Sequence, residues 1–292
     1  MRLLVTNDDG IESEGLHVLA ATLADAGHEP LVVAPDSDWS GASSALGRIH
    51  PDEAIEVKRV QLPDRDDVPA YAINGTPALA VMSAQLGAFD VKIDAVVSGI
   101  NAGSNTGRAI LHSGTVGAVL TAQNFGLSGL AVSVQSGERW YWDTAASMTC
   151  DVLKLLEEAP ARSALNLNVP ARRREDVRGI RWARLAPFGE VRAALKGSED
   201  GRFQFVLRDT AADVEFEPDT DQGLLRLGYA SLTTLVGVVE AWPAEEGLEE
   251  LPADARTDVV ERLAPGAPLH GVHRVPDVAG RAVLRRPRLA SN

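Results

Sequence analysis

The fold is decided by residues 2–35, which read RLLVTNDDGIESEGLHVLAATLADAGHEPLVVAP. The largely apolar run Arg2–Thr6 predicts a buried strand. Apolar residues then recur at helical spacing over residues 16–23, and Gly27 is suited to end that helix. A second apolar run at residues 31–34 predicts another strand. A strand, a helix and a strand in this order form a βαβ unit, which favours parallel strands joined by a right-handed crossover.

The same alternation continues as far as residue 170. Apolar runs that predict strands occupy residues 95–97, 130–134 and 164–169, and helical patterns occupy residues 78–86, 113–125 and 143–158. Thr76-Pro77 suits a helix start, because threonine caps a helix and proline is tolerated in the first turn. Strands that alternate with helices predict an α/β fold, here a three-layer α/β/α sandwich around a mostly parallel sheet.

The pattern changes after residue 170. Residues 202–207 and 229–236 have partial strand patterns with few helical signals between them. They predict β-hairpins and, within residues 171–242, a C-terminal hairpin arm that contacts another subunit. Residues 243–292 are rich in proline and charged residues, which predicts an extension that is partly helical or mobile. The predicted organisation is therefore one domain over residues 1–242 followed by this extension.

The composition of the chain argues against several classes of protein. The formal net charge of -13 argues against a wide basic surface for a polynucleotide. The chain has a single cysteine, so no internal disulfide framework is possible. No apolar run is long enough to span a bilayer, and the first apolar run is too short for a signal peptide. These features predict a cytoplasmic protein without a membrane partner.

Oxygen-bearing side chains follow three of the predicted strands. Asp8 and Asp9 come directly after the first strand, Ser40 follows the second, and Asn101 follows the strand at 95–97. Taken alone, the aspartates also suit a turn and the serine a flexible loop. The carboxyl ends of parallel strands share one edge of a sheet, so these loops can converge on one point. Carboxylate, hydroxyl and amide oxygens suit a hard cation, Mg²⁺ or Mn²⁺, and suit zinc poorly.

A second set of residues suits an anion. Asn105 lies in a glycine-rich loop whose N–H groups can wrap a phosphate. Ser113, Gly114 and Thr115 open a predicted helix, where free N–H groups and the helix dipole attract negative charge. The alternative for this segment is a plain serine or threonine N-cap. The combination of both sets predicts a metal ion beside a bound phosphate at the sheet edge.

These residues closely resemble the survival protein SurE family, which consists of metal-dependent 5′-nucleotidases. The matching blocks are residues 4–11 (LVTNDDGI), 32–36 (VVAPD), 40–43 (SGAS), 75–77 (GTP), 97–105 (VSGINAGSN) and 112–116 (HSGTV), with weaker matches at 166–170 (NLNVP), 219–221 (DTD) and 228–231 (GYAS). The blocks occur in the family's order over roughly residues 1–235, which makes the resemblance specific.

The resemblance implies a Rossmann-like core with a C-terminal hairpin arm, and homodimers or homotetramers that form through this arm. It implies release of phosphate from nucleoside 5′-monophosphates with one divalent metal ion per subunit. The implied metal ligands are Asp8, Asp9, Ser40 and Asn101, and the implied catalytic residues are Asp8, Asp9 and Asn101. Asn105, Ser113, Gly114 and Thr115 match the segment on the phosphate side.

The chain departs from the family pattern at two places. Leu79-Ala80 follows the Gly-Thr-Pro block where the family usually has Asp-Cys, and we interpret this change as one of packing. Arg108-Ala109 stands where the family often has an acidic residue, which can alter substrate preference or hydration of the site.

The hypothesis from the sequence is hydrolysis of a phosphomonoester by a metal-assisted water molecule. Direct attack by water is favoured over an aspartyl-phosphate, because aspartate-nucleophile phosphatases typically have Asp-x-Asp and here the two aspartates are contiguous. The alternative function is a non-catalytic regulatory module that binds metal and nucleotide. A dinucleotide-dependent oxidoreductase is disfavoured, because no Gly-x-Gly-x-x-Gly turn follows the first strand.

Overall fold

A computed structural model describes residues 1–50, 52–189, 191–199, 202–209 and 215–239. The strands are β1 (Arg2–Thr6), β2 (Glu29–Pro35), β3 (Val57–Leu62), β4 (Arg65–Ile73), β5 (Ala95–Ala102), β6 (Ser128–Val134), β7 (Ala164–Val169), β8 (Ile180–Trp182), β9 (Val191–Glu199), β10 (Arg202–Asp209) and β11 (Ala230–Leu235). The helices are α1 (Glu14–Asp25), α2 (Pro77–Gln85), α3 (Gly114–Asn124), α4 (Trp142–Glu158) and α5 (Asp221–Arg226), with 3₁₀ turns at Gly107–His112 and Arg174–Asp176.

Nine strands form one sheet in the order β3-β4-β2-β1-β5-β6-β7-β11-β8. The six central strands, from β4 to β7, are all parallel to one another. β3 and β11 run antiparallel to their inner neighbours, and β8 is parallel to β11. The α/β fold with a mostly parallel sheet that the sequence predicts is therefore confirmed.

Helices cover both faces of the sheet. Leu16 and Leu19 of α1 pack with α4 against one face, where they join a core that includes Val5 and Val97. Helices α2 and α3 pack on the opposite face, where Leu4 belongs to a separate core. A strand covered on both faces reads as a continuous apolar run rather than an alternating one, which explains why β1, β2 and β5 were recognisable in the sequence.

The strand order reverses at β1, which lies between β2 on one side and β5 on the other. In an open α/β sheet, such a reversal opens a crevice at the carboxyl ends of the strands. The loops that follow β1, β2 and β5 therefore meet at this crevice. The predicted metal ligands Asp8, Asp9 and Ser40 lie in the loops after β1 and β2, and Asn101 lies within β5 near its carboxyl end.

Residues after 170 form more than an arm. β8 and β11 join the large sheet, and the short helix α5 lies before β11. Among the described residues, β9 and β10 are the two strands that stand apart, as an antiparallel hairpin. The compact unit that holds the large sheet runs from Met1 to Gly237. The predicted extension over residues 243–292 lies outside the described residues, and the boundary at 242 stays a prediction.

Leu79 and Ala80 are buried in the core between α2 and the sheet, as expected if their departure from the family pattern is a matter of packing. Cys150 is partly buried and unpaired. Among the described residues, no helix is both long enough and apolar enough to cross a membrane.

Candidate metal and phosphate site

The turn after β1 is held by the side chain of Asn7. Its amide N–H donates to the carbonyl of Gly10 at 3.0 Å, and its amide oxygen accepts from the Gly10 N–H at 3.2 Å. Gly10 has a φ of 101°, which favours glycine. The bend that two adjacent carboxylates need in order to serve one ion is thus built by Asn7 and Gly10.

Asp8 is buried and faces the start of α3. Its Oδ2 accepts from the Gly114 N–H at 3.0 Å, and its Oδ1 accepts from the Thr115 hydroxyl. A Cβ at Gly114 would lie only 2.7 Å from the Cβ of Asp8, so glycine is required for this approach. Burial raises the pKa of Asp8, and the hydrogen bonds from Thr115 and Gly114 oppose that rise.

The carboxylate of Asp9, unlike that of Asp8, has an oxygen without a hydrogen bond within the described part of the chain. Its Oδ2 is buried and has no hydrogen-bond partner among the described residues. Burial raises the pKa of Asp9 to about 7, and the neighbouring carboxylates of Asp8 and Asp38 add to the rise. A hydrogen bond from the Ala102 backbone opposes this rise. A buried carboxylate oxygen without a partner is costly unless a cation compensates it. This orphaned oxygen fits a metal ligand.

Asn101 joins the same cluster through Thr115. The Thr115 hydroxyl lies 3.3 Å from the Asn101 Oδ1 while it also donates to Asp8. The Asn101 amide N–H donates to the carbonyl of Gly103 at 2.7 Å, which turns Oδ1 towards Thr115. The structure therefore brings Asp8, Asn101 and Thr115 together, although they come from the turn after β1, from β5 and from α3.

The Ser40 loop reaches the site through its backbone. The Trp39 N–H donates to the carbonyl of Asp8 at 2.8 Å. The Ser40 hydroxyl, however, is exposed and donates to Asp38 Oδ1 at 2.6 Å, and its N–H donates to the same oxygen at 2.7 Å. Its predicted role as a metal ligand stays a prediction, and it requires the hydroxyl to turn away from Asp38. Asp38 itself was not anticipated; its place two residues before Ser40 was the only signal.

The small residues of this loop allow close packing against α3. The Ser43 hydroxyl donates to the carbonyl of Leu111 at 2.7 Å, and its N–H donates to the carbonyl of His112 at 3.2 Å. A Cβ at Gly117 would lie 2.1 Å from the Ser43 carbonyl oxygen. The loop after β2 is thus fixed against the beginning of α3 rather than free.

The start of α3 adopts the capping arrangement that the sequence left open. The Ser113 Oγ accepts from the Val116 N–H at 3.1 Å, as an N-cap does. The Gly114 N–H is directed at Asp8 rather than left free. Contact of Ser113, Gly114 and Thr115 with a phosphate stays a prediction.

Asn105 is clamped by the neighbouring strands. Its amide N–H donates to the Ser133 hydroxyl of β6 at 3.0 Å. Its carbonyl accepts from the side-chain amides of Asn166 and Asn168, both of β7 and both at 2.9 Å. Asn166 and Asn168 are fully buried, and the Oδ1 atoms of both have no partner among the described residues. Both residues belong to the block 166–170, which matches the family pattern only weakly.

The residues after Asn105 are held by α5. The carboxylate of Asp221 is fully buried and accepts from the N–H groups of Gly107 at 2.7 Å and Ala186 at 2.9 Å. The Gln222 side chain donates to the Thr106 hydroxyl. Burial raises the pKa of Asp221, and the hydrogen bond from Gly107 heads those that oppose the rise. Asp221 was also visible beforehand only as part of a weak block.

The donor set at the crevice consists of two carboxylates and neutral oxygens. Within the described residues, no group of three or more histidine, cysteine, aspartate or glutamate side chains is placed to hold a metal ion. Asp8 and Asp9 with the amide oxygen of Asn101 are the donors that suit Mg²⁺ or Mn²⁺. The same crevice lies beside the helix start that can favour an anion.

Several known proteins are similar to this chain over most of its length. A 5′-nucleotidase SurE of Chloroflexus aggregans is 39% identical over 238 residues, which cover 80% of this chain and 92% of that protein. A 5′-nucleotidase SurE of Xanthomonas campestris pv. campestris is 35% identical over 240 residues, which cover 80% of this chain and 89% of that protein. The crystal structure of the SurE protein from Aquifex aeolicus superposes with a TM-score of 0.68 at 28% identity, covering 82% of this chain and 95% of that chain.

The model of one protein family, survival protein SurE, matches residues 3–189. This segment contains every predicted site residue, from Asp8 to Thr115. The matched segment is more than half of the chain, and the relatives cover four-fifths of it. The chain belongs to the survival protein SurE family.

Proposed function

We propose that this SurE family member is a 5′-nucleotidase, an enzyme that releases phosphate from nucleoside 5′-monophosphates. The curated relatives with 33–39% identity carry the name 5′-nucleotidase SurE. The observation that carries the proposal for this chain is the buried, unpartnered Oδ2 of Asp9 next to Asp8. Such a carboxylate is what a phosphate-processing site needs to hold a cation against an anionic substrate.

The proposed cofactor is one Mg²⁺ or Mn²⁺ ion per subunit. Asp8, Asp9, Asn101 and, after rotation of its hydroxyl, Ser40 would hold it. When bound, such an ion offsets the charge of phosphate oxygens and acidifies a water molecule. The support for this assignment is the fit of the oxygen donors and the raised pKa of Asp9, which falls when a cation is near.

The protein side chains have separate parts in the proposed reaction. Asp8 cannot readily act as a nucleophile, because both its oxygens accept hydrogen bonds from the start of α3. We therefore favour attack by water over an aspartyl-phosphate. Asn105, Ser113, Gly114 and Thr115 would face the phosphate and stabilise the charge that shifts as the ester bond breaks.

The subunit contact is a further part of the proposal. The hairpin β9–β10 pairs with no other strand among the described residues. An isolated two-stranded hairpin is marginally stable in water, so it needs a surface to pack on. A second copy of the chain supplies such a surface in a homodimer or homotetramer. A cytoplasmic location stays an expectation from the sequence.

The test replaces Asp9 by Asn. We expect kcat/KM for a nucleoside 5′-monophosphate with Mg²⁺ or Mn²⁺ to fall more than about tenfold, which corresponds to about 1.4 kcal/mol of transition-state stabilisation. Asp8→Asn should have a similar effect. Asp64→Asn is the matched control, because Asp64 is exposed in the β3–β4 turn and asparagine tolerates its φ of 55°.

Two results would contradict the proposal in different ways. Full activity of Asp9→Asn would remove this residue from the mechanism. Binding of a nucleotide by the wild-type protein without any release of phosphate would support the regulatory module instead.

A further inference from the structure

A groove of about 250 Å³ lies beside the site, between the loop after β2 and the start of α2. Its lining includes Trp39, Arg48, His50, Glu56, Asn74 and Thr76. A larger depression of about 430 Å³ is lined by residues of the β3–β4 hairpin, among them Arg59 and Arg65. Because β4 is parallel to β2 and begins at that hairpin, the larger depression lies at the opposite edge of the sheet. Of these two, the groove of about 250 Å³ opens at the edge that carries Asp8.

The groove adjoins the proposed metal site, because the lining residue Trp39 directly precedes Ser40 in the chain. The Trp39 N–H donates to the carbonyl of Asp8 at 2.8 Å, and the next residue is Ser40. On the other side, the Thr76 hydroxyl donates to the carbonyl of Ala45 at 2.6 Å and also caps α2. These bonds tie both walls of the groove to the carboxyl edge of the sheet. A molecule whose phosphate lies at Asp9 can therefore extend into the groove.

The walls offer the contacts that a nucleobase requires. Trp39 and His50 provide flat aromatic rings, and bases stack on such rings. The Asn74 side chain is exposed and makes no hydrogen bond to the described residues, so its amide can pair with the polar edge of a base. The Trp39 Nε1 is buried and has no partner among the described residues, which leaves a donor for an acceptor on a ligand.

The charges in the groove favour a neutral group. Arg48 lies 3.6 Å from Glu53, so its charge is matched locally. Glu56 adds a further carboxylate to the lining. Arg48 is the only lysine or arginine among the described lining residues, so a second phosphate group would meet these carboxylates without a further such cation, whereas ribose hydroxyl groups can donate to them.

We propose that this groove binds the nucleoside, both base and ribose, while the phosphate lies at Asp8 and Asp9. The inference rests on the proposed function, because it takes the substrate to be a nucleoside 5′-monophosphate. It assigns stacking to Trp39 and recognition of the base edge to Asn74.

The experiment compares Trp39→Ala and Asn74→Ala with wild-type protein. The KM for AMP is measured together with the inhibition constant of inorganic phosphate, which reports the phosphate site alone. We expect the KM for AMP to rise at least fivefold in Trp39→Ala and the phosphate constant to change less than twofold. Trp182→Ala is the matched control, since Trp182 is 62% exposed on β8. Asn74 is exposed, so Asn74→Ala should fold even if Trp39→Ala does not.

A second measurement separates this inference from the proposed function. Binding of adenosine, which has no phosphate, is measured by calorimetry on the intact chain. Adenosine binding that both variants weaken supports the groove even if the protein hydrolyses nothing. The inference is wrong if wild-type protein does not bind adenosine and the variants leave the KM for AMP unchanged. It is also wrong if both variants change the KM for AMP and the inhibition constant of phosphate by the same factor.

Discussion

At the scale of single residues, the site is organised around two adjacent carboxylates in different surroundings. Asp8 is held by the Gly114 N–H and the Thr115 hydroxyl, whereas Asp9 keeps one buried oxygen without a partner. The orientation of the Asp8 carboxylate is therefore fixed by α3, whereas a buried oxygen of Asp9 is left without a hydrogen bond among the described residues. Identical side chains thus have different chemistry because one lies against a helix start and the other does not.

The raised pKa of Asp9 leads to a prediction about stability. In the presence of a chelator, the Asp9 carboxyl has a folded-state pKa of about 7 against an ordinary value of 3.8. The folded state binds the Asp9 proton more tightly than the unfolded state does, so protonation of Asp9 stabilises the fold. This stabilisation is fully present below about pH 4 and is lost as the pH rises through 7. The free energy of unfolding of wild-type protein minus that of Asp9→Asn should therefore be lower at pH 8 than at pH 5.

Urea unfolding of both proteins in a chelator measures this difference. We expect a drop of at least about 1 kcal/mol between the two pH values, because one pKa unit corresponds to about 1.4 kcal/mol. Addition of Mn²⁺ at pH 8 should restore the stability of the wild type only. A difference that does not depend on pH would mean that the Asp9 carboxylate is not destabilised by its surroundings.

The sequence was enough to predict that Asp8 and Asn101 lie close together, because each lies at the carboxyl end of an apolar strand and these ends share one edge of the sheet. Their role as metal ligands stays a prediction. The hydrogen bond of Ser40 to Asp38 could not be anticipated, since it depends on the local turn rather than on residue type. The contacts of Asn166 and Asn168 with Asn105 join positions more than 60 residues apart, and only the folded sheet brings them together.

At the scale of elements, the loop after β5 is anchored by its neighbours. Asn105 is held by β6 and β7, and Gly107 is held by α5. A loop in which backbone and side-chain groups are both bonded has little freedom to change its conformation. We infer that β7 and α5 keep the phosphate side of the crevice in place before a substrate arrives.

The substitution Asn168→Asp tests this anchoring. The new carboxylate cannot donate, and it would face the carbonyl of Asn105 from a buried position. We expect kcat for AMP to fall about tenfold or more while the affinity for Mn²⁺ changes little, because Asn168 makes no contact with the proposed metal ligands Asp8, Asp9 and Asn101 among the hydrogen bonds of the described residues. Asn124→Asp, at the exposed end of α3, is the control. An equal loss of Mn²⁺ affinity and kcat would indicate general damage instead.

The sequence predicted the βαβ unit and α3 correctly because their apolar positions repeat with a clear period. The hairpin of β3 and β4 was missed. Its outer strand, Val57–Leu62, is mostly exposed and includes Lys58 and Arg59, so no apolar run marks it. α5 was missed because its six residues are too few to establish a helical period.

At the scale of the whole molecule, the sandwich could be predicted but the strand order could not. β1 pairs with β5, and β7 pairs with β11, across long stretches of chain. Such pairings depend on which faces the helices cover, and the pattern of apolar residues within one strand does not predict its partner. The part after residue 170 therefore appeared as an arm, although β8 and β11 extend the large sheet.

The hairpin of β9 and β10 supports a prediction about assembly. If it packs on a second copy, replacement of residues 190–210 by a short Gly-Ser linker should reduce the molar mass in solution by at least half. Light scattering after size-exclusion chromatography measures this change. The far-ultraviolet circular dichroism should remain typical of an α/β protein. An unchanged molar mass would show that the subunits associate elsewhere, or that the chain is monomeric from the outset.

The hydrogen bonds of Asp8 also constrain when the site can form during synthesis. Asp8 leaves the ribosome early, but its partners Gly114 and Thr115 lie 106 and 107 residues further along the chain. A nascent chain that ends before Gly114 contains both carboxylates and lacks the donors that orient the first of them. The Asp8 carboxylate can therefore take its final orientation only after residues 114 and 115 have been synthesised and the start of α3 packs against the turn after β1.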